Sequence, residues 1–173
     1  YEEGRVKHLK IAVQQAMLGS ADAMDYIRRP VQRQDDAGTD FLDLNVDEIS
    51  LKEEEQKESM RWLVGTVSAM SETRLSIDSS KIEILEAGLE AGASHPKRML
   101  LNSASLERPE ALDLAKKFNA QIVVTAAGES GMPQSAEERV GHARQMIDKA
   151  LAPCLPPSEL TTCPLNPTEA PAP

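Results

Sequence analysis

The sequence predicts an α/β fold in which parallel strands alternate with helices. Four short apolar runs have the length of buried strands, and amphipathic segments separate them. The runs end near Val46, Ile77, Leu101 and Val124, so successive ends lie 31, 24 and 23 residues apart. A closed (β/α)8 barrel uses about 31 residues for each strand and helix. Because four strands cannot close a barrel, we expect a partial (β/α)8 barrel.

Two amphipathic helices are predicted before the first strand. Residues 5–18 place Leu9 and Val13 on one helical face, which predicts that this face is buried. A second helix is predicted over residues 22–37. Pro30 lies inside it and removes one backbone hydrogen bond, which favours a kink.

The first strand, residues 40–46, carries two polar side chains among its apolar ones. Side chains alternate between the two faces of a strand, so Asp43 and Asn45 point the same way. Polar groups on an inward face are costly unless they have a partner. The pair is therefore a candidate binding feature.

The stretch from Thr73 to Ser105 predicts a strand, a helix and a second strand. The first strand ends on Asp78 and the second on Asn102. Ligands of α/β folds bind at the carboxyl ends of parallel strands. Asp78 and Asn102 are therefore candidate ligand-binding residues. Either residue could instead cap the helix that follows it.

Helix starts and stops are predicted from short signals. Capping boxes at Ser50–Glu53, Ser80–Glu83 and Ser135–Glu138 predict three helix starts. Gly92 is expected to end the middle helix in a left-handed turn.

A change of composition divides the chain at residue 152. Residues 1–151 are predicted to form the barrel domain, and residues 152–173 hold seven of the eleven prolines. This density excludes a helix and any central strand. We expect the tail to be disordered, with at most a residual edge strand at 159–163, and to leave the last barrel strand unpaired on its outer side.

The composition argues against several functions. The net charge is −9, and the 19 Lys and Arg form no patch among 28 Asp and Glu. Nucleic acid and anionic membranes both need a basic face. No run reaches the roughly 18 apolar residues of a membrane helix, and the histidines and cysteines match no metal-ligand spacing. We expect a soluble cytoplasmic protein without a metal site.

Three segments, LDLNV, LSIDSSKIEILEAGLEAG and LLNSAS, resemble in their order the pterin-binding barrel. Dihydropteroate synthase and the methyltetrahydrofolate methyltransferases share this barrel. The latter include the folate domain of cobalamin-dependent methionine synthase and the corrinoid iron–sulfur protein methyltransferase. The resemblance covers roughly residues 5–151.

The resemblance implies roles for four residues. It implies that Asp78 binds the aminopyrimidinone edge of the pterin and that Asn102 bonds the ring near the reactive nitrogen, as the catalytic residue. Asp43 and Asn45 are implied to line the pocket. The residue types suit these roles, since a carboxylate accepts two parallel N–H bonds and an amide both donates and accepts.

The implied reaction is methyl transfer in one-carbon metabolism. A methyl group would pass from N5 of 5-methyltetrahydrofolate to the cobalt of a corrinoid carried by a partner, which requires positioning and a proton for N5. Dihydropteroate synthases carry a Gly-Gly-Glu-Ser-Thr-Arg-Pro type run after the first of these strands, where this chain has VDEISLKEE. This difference favours the methyltransferase. The alternatives are a dihydropteroate synthase-like enzyme and an inactive barrel remnant.

Two features of the ends point to an incomplete barrel. Cys163 stands where the family has an aspartate in an Asp-Pro-Leu strand end. The family also has a strand before the first helix, so the strand at 40–46 is expected to leave one edge unpaired, with Phe41 poorly covered. Open sheet edges favour self-association.

Overall fold

A computed structural model describes residues 3–129, 131–151, 158 and 160–163. Two compact units make up the chain, Tyr1–Leu100 and Leu101–Pro173. The predicted disordered tail falls largely on residues outside those described, and it stays a prediction.

Six helices and five strands alternate along the described residues. They are α1 (Glu3–Met17), α2 (Ala21–Asp36), β1 (Phe41–Asn45), α3 (Glu53–Ser68), β2 (Arg74–Asp78), α4 (Ile82–Ala91), β3 (Leu100–Ala104), α5 (Ala111–Lys117), β4 (Gln121–Thr125), α6 (Ala136–Leu151) and β5 (Leu160–Cys163). Within the first unit β1 pairs with β2 in parallel, and within the second unit β4 pairs with β5 in parallel. The predicted α/β fold with parallel strands is confirmed.

The first unit buries one face of α3 and α4 against β1 and β2. Met60 and Val64 of α3, Leu75 and Ile77 of β2 and Leu85 of α4 are all buried completely. The apolar positions of α3 recur at helical spacing, which is why one face of this helix could pack. This core holds the carboxyl ends of β1 and β2 in place.

Gly88 brings α4 close to β2. A Cβ atom at this position would lie 2.5 Å from the Cγ2 methyl of Ile77 and 3.0 Å from Cγ of Met60. Gly65, in the exposed face of α3, has no such neighbour within 4 Å. A side chain is therefore excluded by close packing at Gly88 but not at Gly65.

Alanine at these two positions should shift stability in opposite directions. We expect Gly88→Ala to lower the free energy of unfolding by about 1–3 kcal/mol, because the added methyl overpacks a buried contact. Gly65→Ala should raise it by about 0.5–1 kcal/mol, since alanine restricts the unfolded chain and costs nothing in the helix. Urea unfolding followed by circular dichroism measures both. Equal stabilisation by the two variants would contradict the close packing at Gly88.

The second unit packs α5 and α6 beside β4. Ala115 of α5, Ile122 and Val124 of β4 and Met146 of α6 are all buried. β5 pairs with β4 from Ile122↔Leu160 to Thr125↔Cys163. The expectation that β4 lacks an outer partner is wrong, because the four residues before Pro164 form the edge strand that the composition still allowed.

Helix ends depart from the predicted capping in two places. Lys52 and Lys81 are the N-cap residues of α3 and α4, and neither makes a side-chain cap bond. The predicted boxes at Ser50 and Ser80 are therefore wrong. The serine half of the third box is confirmed, because Ser135 Oγ accepts from the Glu138 N–H at 3.0 Å.

Gly92 ends α4 in a right-handed conformation, with φ −87° and ψ 5°. The predicted left-handed turn is wrong. A Cβ atom on Gly92 would lie 2.3 Å from the Met99 sulfur, so a side chain at this position would require the end of the Met99 side chain to move.

The burial of apolar side chains in α1 and β1 also differs from expectation. Val13 is buried, but Leu9 is 51% exposed, so only part of the predicted α1 face is covered. Leu42 and Leu44 of β1 are buried. Phe41 is half-buried with the Arg74 guanidinium 4.4 Å from its ring centre. The expectation that Phe41 is poorly covered is wrong.

Candidate functional site

The carboxyl ends of β1 and β2 present a polar surface in the first unit. The strand register sets Asp43 beside Ser76 and Asn45 beside Asp78. Paired residues of a parallel sheet share a face, so these four side chains lie on the same one. Asp43 and Asn45 share a face as predicted, but both are exposed and not inward, and Leu42 and Leu44 are buried on the opposite face.

A direct hydrogen bond joins two of the predicted site residues. Asn45 Nδ2 donates to Asp78 Oδ2 at 2.9 Å. Asn45 Oδ1 accepts from the backbone N–H of Asp47 at 2.9 Å. The amide therefore turns its donor end to the carboxylate. A half-buried carboxylate beside an oriented amide can accept N–H groups from a flat heterocycle.

Asp47 joins the loop after β1 to the loop after β2. Its Oδ1 accepts from the Ser79 hydroxyl at 2.5 Å, and its Oδ2 accepts from the Ser80 N–H at 2.8 Å. Burial raises the pKa of the Asp47 carboxyl, but these two donors and the Lys81 charge lower it more, so the pKa lies below the ordinary 3.8. The stability from this contact is present at neutral pH and is lost as the pH falls below 3.8.

A buried glutamine forms a second connection between the same loops. Gln56 of α3 is 3% exposed, and its Nε2 donates to the carbonyls of Asp47 at 2.6 Å and Ser50 at 2.8 Å. Its Oε1 accepts from Lys81 Nζ at 2.7 Å. The loops after β1 and β2 are thus joined by the side chains of both Asp47 and Gln56.

Neither Asp47 nor Gln56 was identified from the sequence. One signal for Gln56 was available, because it falls on the helical face that carries Met60, Leu63 and Val67. A polar residue on a buried face must find partners. No comparable signal marked Asp47.

Asp43 and Ser76 occupy the level below the Asn45–Asp78 pair. Asp43 is exposed, whereas Ser76 is 2% exposed and its hydroxyl has no partner among the described residues. A buried hydroxyl without a partner costs about 1–3 kcal/mol.

Asn102 lies in the second unit, in the middle of β3 and not at its end, because the strand continues through Ala104. It is half-buried. Arg108 Nη2 donates to the Ser103 carbonyl at 3.2 Å, and the Thr125 hydroxyl donates to the Ala104 carbonyl at 3.3 Å. These bonds fix the backbone that follows Asn102.

The capping alternative for the two principal residues is wrong. The N-cap residues of α4 and α5 are Lys81 and Glu110, and neither helix has a side-chain cap. Helix capping therefore does not account for Asp78 and Asn102 at these positions.

Two further properties concern the described residues alone. None of the helices among them is both long enough and apolar enough to cross a membrane. In this same part of the chain, no group of three or more His, Cys, Asp or Glu side chains is arranged to hold a metal ion.

Comparison with known proteins identifies the family. The family model described as "Pterin binding enzyme" matches residues 17–155, which is most of the chain. Among solved structures, the 7,8-dihydropteroate synthase from Vibrio fischeri ES114 is similar, with a TM-score of 0.62 and 17% identity. The match covers 80% of this chain and 55% of that one. This likeness confirms the predicted dihydropteroate synthase-like partial barrel, and the family match shows that the chain belongs to the pterin binding enzymes.

Proposed function

We propose that this chain binds the pterin ring of 5-methyltetrahydrofolate and serves the transfer of its methyl group to a corrinoid. Asp78 binds the aminopyrimidinone edge, and Asn102 bonds the ring near N5 as the catalytic residue. Asp43 and Asn45 line the pocket. The corrinoid is carried by a partner domain or protein, and a cytoplasmic location is part of the same proposal.

The Asn45–Asp78 hydrogen bond is the observation that carries the proposal. Asp78 stands at the carboxyl end of its strand, where α/β folds bind ligands, and the bond gives its carboxylate a fixed orientation. A pterin presents adjacent N–H donors along one edge, which complements such a carboxylate.

The loop after β1 supports the methyltransferase in preference to the synthase. The segment VDEISLKEE replaces the Gly-Gly-Glu-Ser-Thr-Arg-Pro type run of synthases. In this chain the segment is occupied by internal contacts, since Asp47 bonds Ser79 and Ser80 while Ser50 donates to Glu55 at 2.6 Å. The similarity to a dihydropteroate synthase concerns the fold and leaves that enzyme as the alternative, together with an inactive barrel remnant.

Paired assays on one preparation separate these functions. We expect transfer of labelled methyl from 5-methyltetrahydrofolate to free cob(I)alamin, with the proton for N5 taken from solvent or a site group. We expect no condensation of dihydropterin pyrophosphate with p-aminobenzoate. Asp40→Asn, at the opposite end of β1, controls for effects of substitution and purification that are unrelated to the site. This variant should retain the transfer activity. Condensation without methyl transfer would contradict the proposal in favour of the synthase, and the absence of both activities and of pterin binding would favour the remnant.

A further inference from the structure

Asp47 has two separate connections to the candidate pterin ligand Asp78. The first runs through its backbone, because its N–H bonds Asn45 Oδ1 at 2.9 Å. An asparagine side chain has one accepting end and one donating end. With the oxygen held by this N–H, the Nδ2 group is the end that meets Asp78 Oδ2 at 2.9 Å. The Asp47 N–H and the Asp78 carboxylate therefore favour the same orientation of the Asn45 amide.

The second connection runs through the Asp47 carboxylate. It accepts from the Ser79 hydroxyl and from the Ser80 N–H, on the two residues that directly follow Asp78. Ser79 Oγ in turn accepts from the Lys81 N–H at 3.2 Å. Ser79 is 2% exposed, so this contact is screened from water. The carboxylate thus fixes the chain direction immediately after Asp78.

The backbone of Asp47 is itself held from α3. Gln56 Nε2 donates to the Asp47 carbonyl at 2.6 Å, and Lys81 Nζ donates to Gln56 Oε1 at 2.7 Å. The three contacts of Asp47, through its N–H, its carbonyl and its carboxylate, leave it little freedom to move. A residue fixed in this way can transmit its position to Asn45 and Asp78.

We infer that Asp47 is a positioning residue that aims the Asp78 carboxylate at the 2-amino group of a pterin. This inference rests on the proposed function and adds to it the selection of 2-aminopteridines over 2-oxopteridines. Selection arises because a carboxylate aimed at the 2-position accepts from an amino group but repels a carbonyl oxygen. A carboxylate that points elsewhere would lose the hydrogen bond from the 2-amino group and would repel a 2-carbonyl oxygen less.

The test compares two probes, 6-methylpterin and 6-methyllumazine, which carries oxygen in place of the 2-amino group. Fluorescence titration should show that the unmodified chain prefers the pterin and that Asp78→Asn removes this preference. Asp47→Asn presents an NH2 group to a donor on the Ser79–Ser80 segment. It should weaken pterin binding about tenfold and leave lumazine binding unchanged or stronger. Asp40→Asn, at the exposed residue that directly precedes β1, is the matched control and should behave like the unmodified chain.

Each outcome of this titration decides the inference. An equal loss for both probes would show that Asp47 maintains only the fold, and no loss would show that it does not act on Asp78; either result overturns the inference while the proposed function stands. If the unmodified chain binds neither probe, both fail. Circular dichroism checks the fold of each variant. If Asp47→Asn does not fold, Ser79→Ala removes one donor to Asp47 and should reduce the preference in the same direction.

Discussion

Replacing Leu85 by alanine should lower the free energy of unfolding by about 2–5 kcal/mol, the range for a fully buried leucine. Leu85 lies in α4 with 0% of its surface exposed. Truncation leaves a cavity between this helix and its neighbours, and the close-packed interior can collapse into it only in part. Because a domain is stable by only about 5–15 kcal/mol, this change is a large fraction of the total.

Leu18→Ala is the matched control, because Leu18 is 81% exposed in the same unit. It should change the free energy of unfolding by no more than about 0.5 kcal/mol. Chemical denaturation followed by circular dichroism measures both variants. A small effect of Leu85→Ala would mean that α4 does not pack as described, and the placement of Asp78 would lose its support.

Asp78→Asn should weaken binding of 5-methyltetrahydrofolate by about 1.5–3 kcal/mol. The substitution preserves the size of the side chain but removes the charge that strengthens hydrogen bonds from the pterin edge. It also places an amide where Asn45 Nδ2 now donates to a carboxylate at 2.9 Å. Calorimetry of the two proteins gives the difference directly.

Asp40→Asn controls for the loss of one negative charge from β1 and β2. Asp40 is exposed and pairs with Arg74 at 3.3 Å, at the far end of the strands from Asp78. Its replacement should leave the affinity for 5-methyltetrahydrofolate unchanged. Equal weakening by both substitutions would indicate a general charge effect and would remove Asp78 from the site.

The alternation of strands and helices was predictable because it depends on local pattern. The strand ends near Val46, Ile77 and Val124 fall within one residue of the observed ends of β1, β2 and β4. β3 extends to Ala104, three residues beyond Leu101, because Asn102 and Ser103 are polar residues within the strand and interrupt the apolar run. An apolar run in the sequence indicates a buried strand, but the sequence does not show how far backbone pairing continues beyond that run.

The candidate site was predictable only in part. Asn45 and Asp78 were identified from the sequence, and the register of β1 and β2 sets them side by side. Asp47 was missed because its partners Ser79 and Ser80 lie more than 30 residues away, and only this register brings them together. Long-range polar contacts of this kind have no local signature.

At both wrong capping boxes the serine is engaged in other hydrogen bonds. Ser80 could not serve as a cap in the predicted way, because Asp47 takes its N–H and α4 begins only at Ile82. Ser50 donates to Glu55, and its Oγ accepts from the Lys52 N–H at 3.1 Å. At Ser80 a contact between loops replaced the predicted box, and at Ser50 a different set of local hydrogen bonds did.

The most direct test of the account is a calorimetric titration of the purified chain with 5-methyltetrahydrofolate at neutral pH. Asp47 is charged under these conditions, since its pKa lies below 3.8. We expect saturable binding with one ligand per chain, because one strand-end carboxylate recognises one pterin edge. The absence of saturable binding, with the fold intact by circular dichroism, would contradict it.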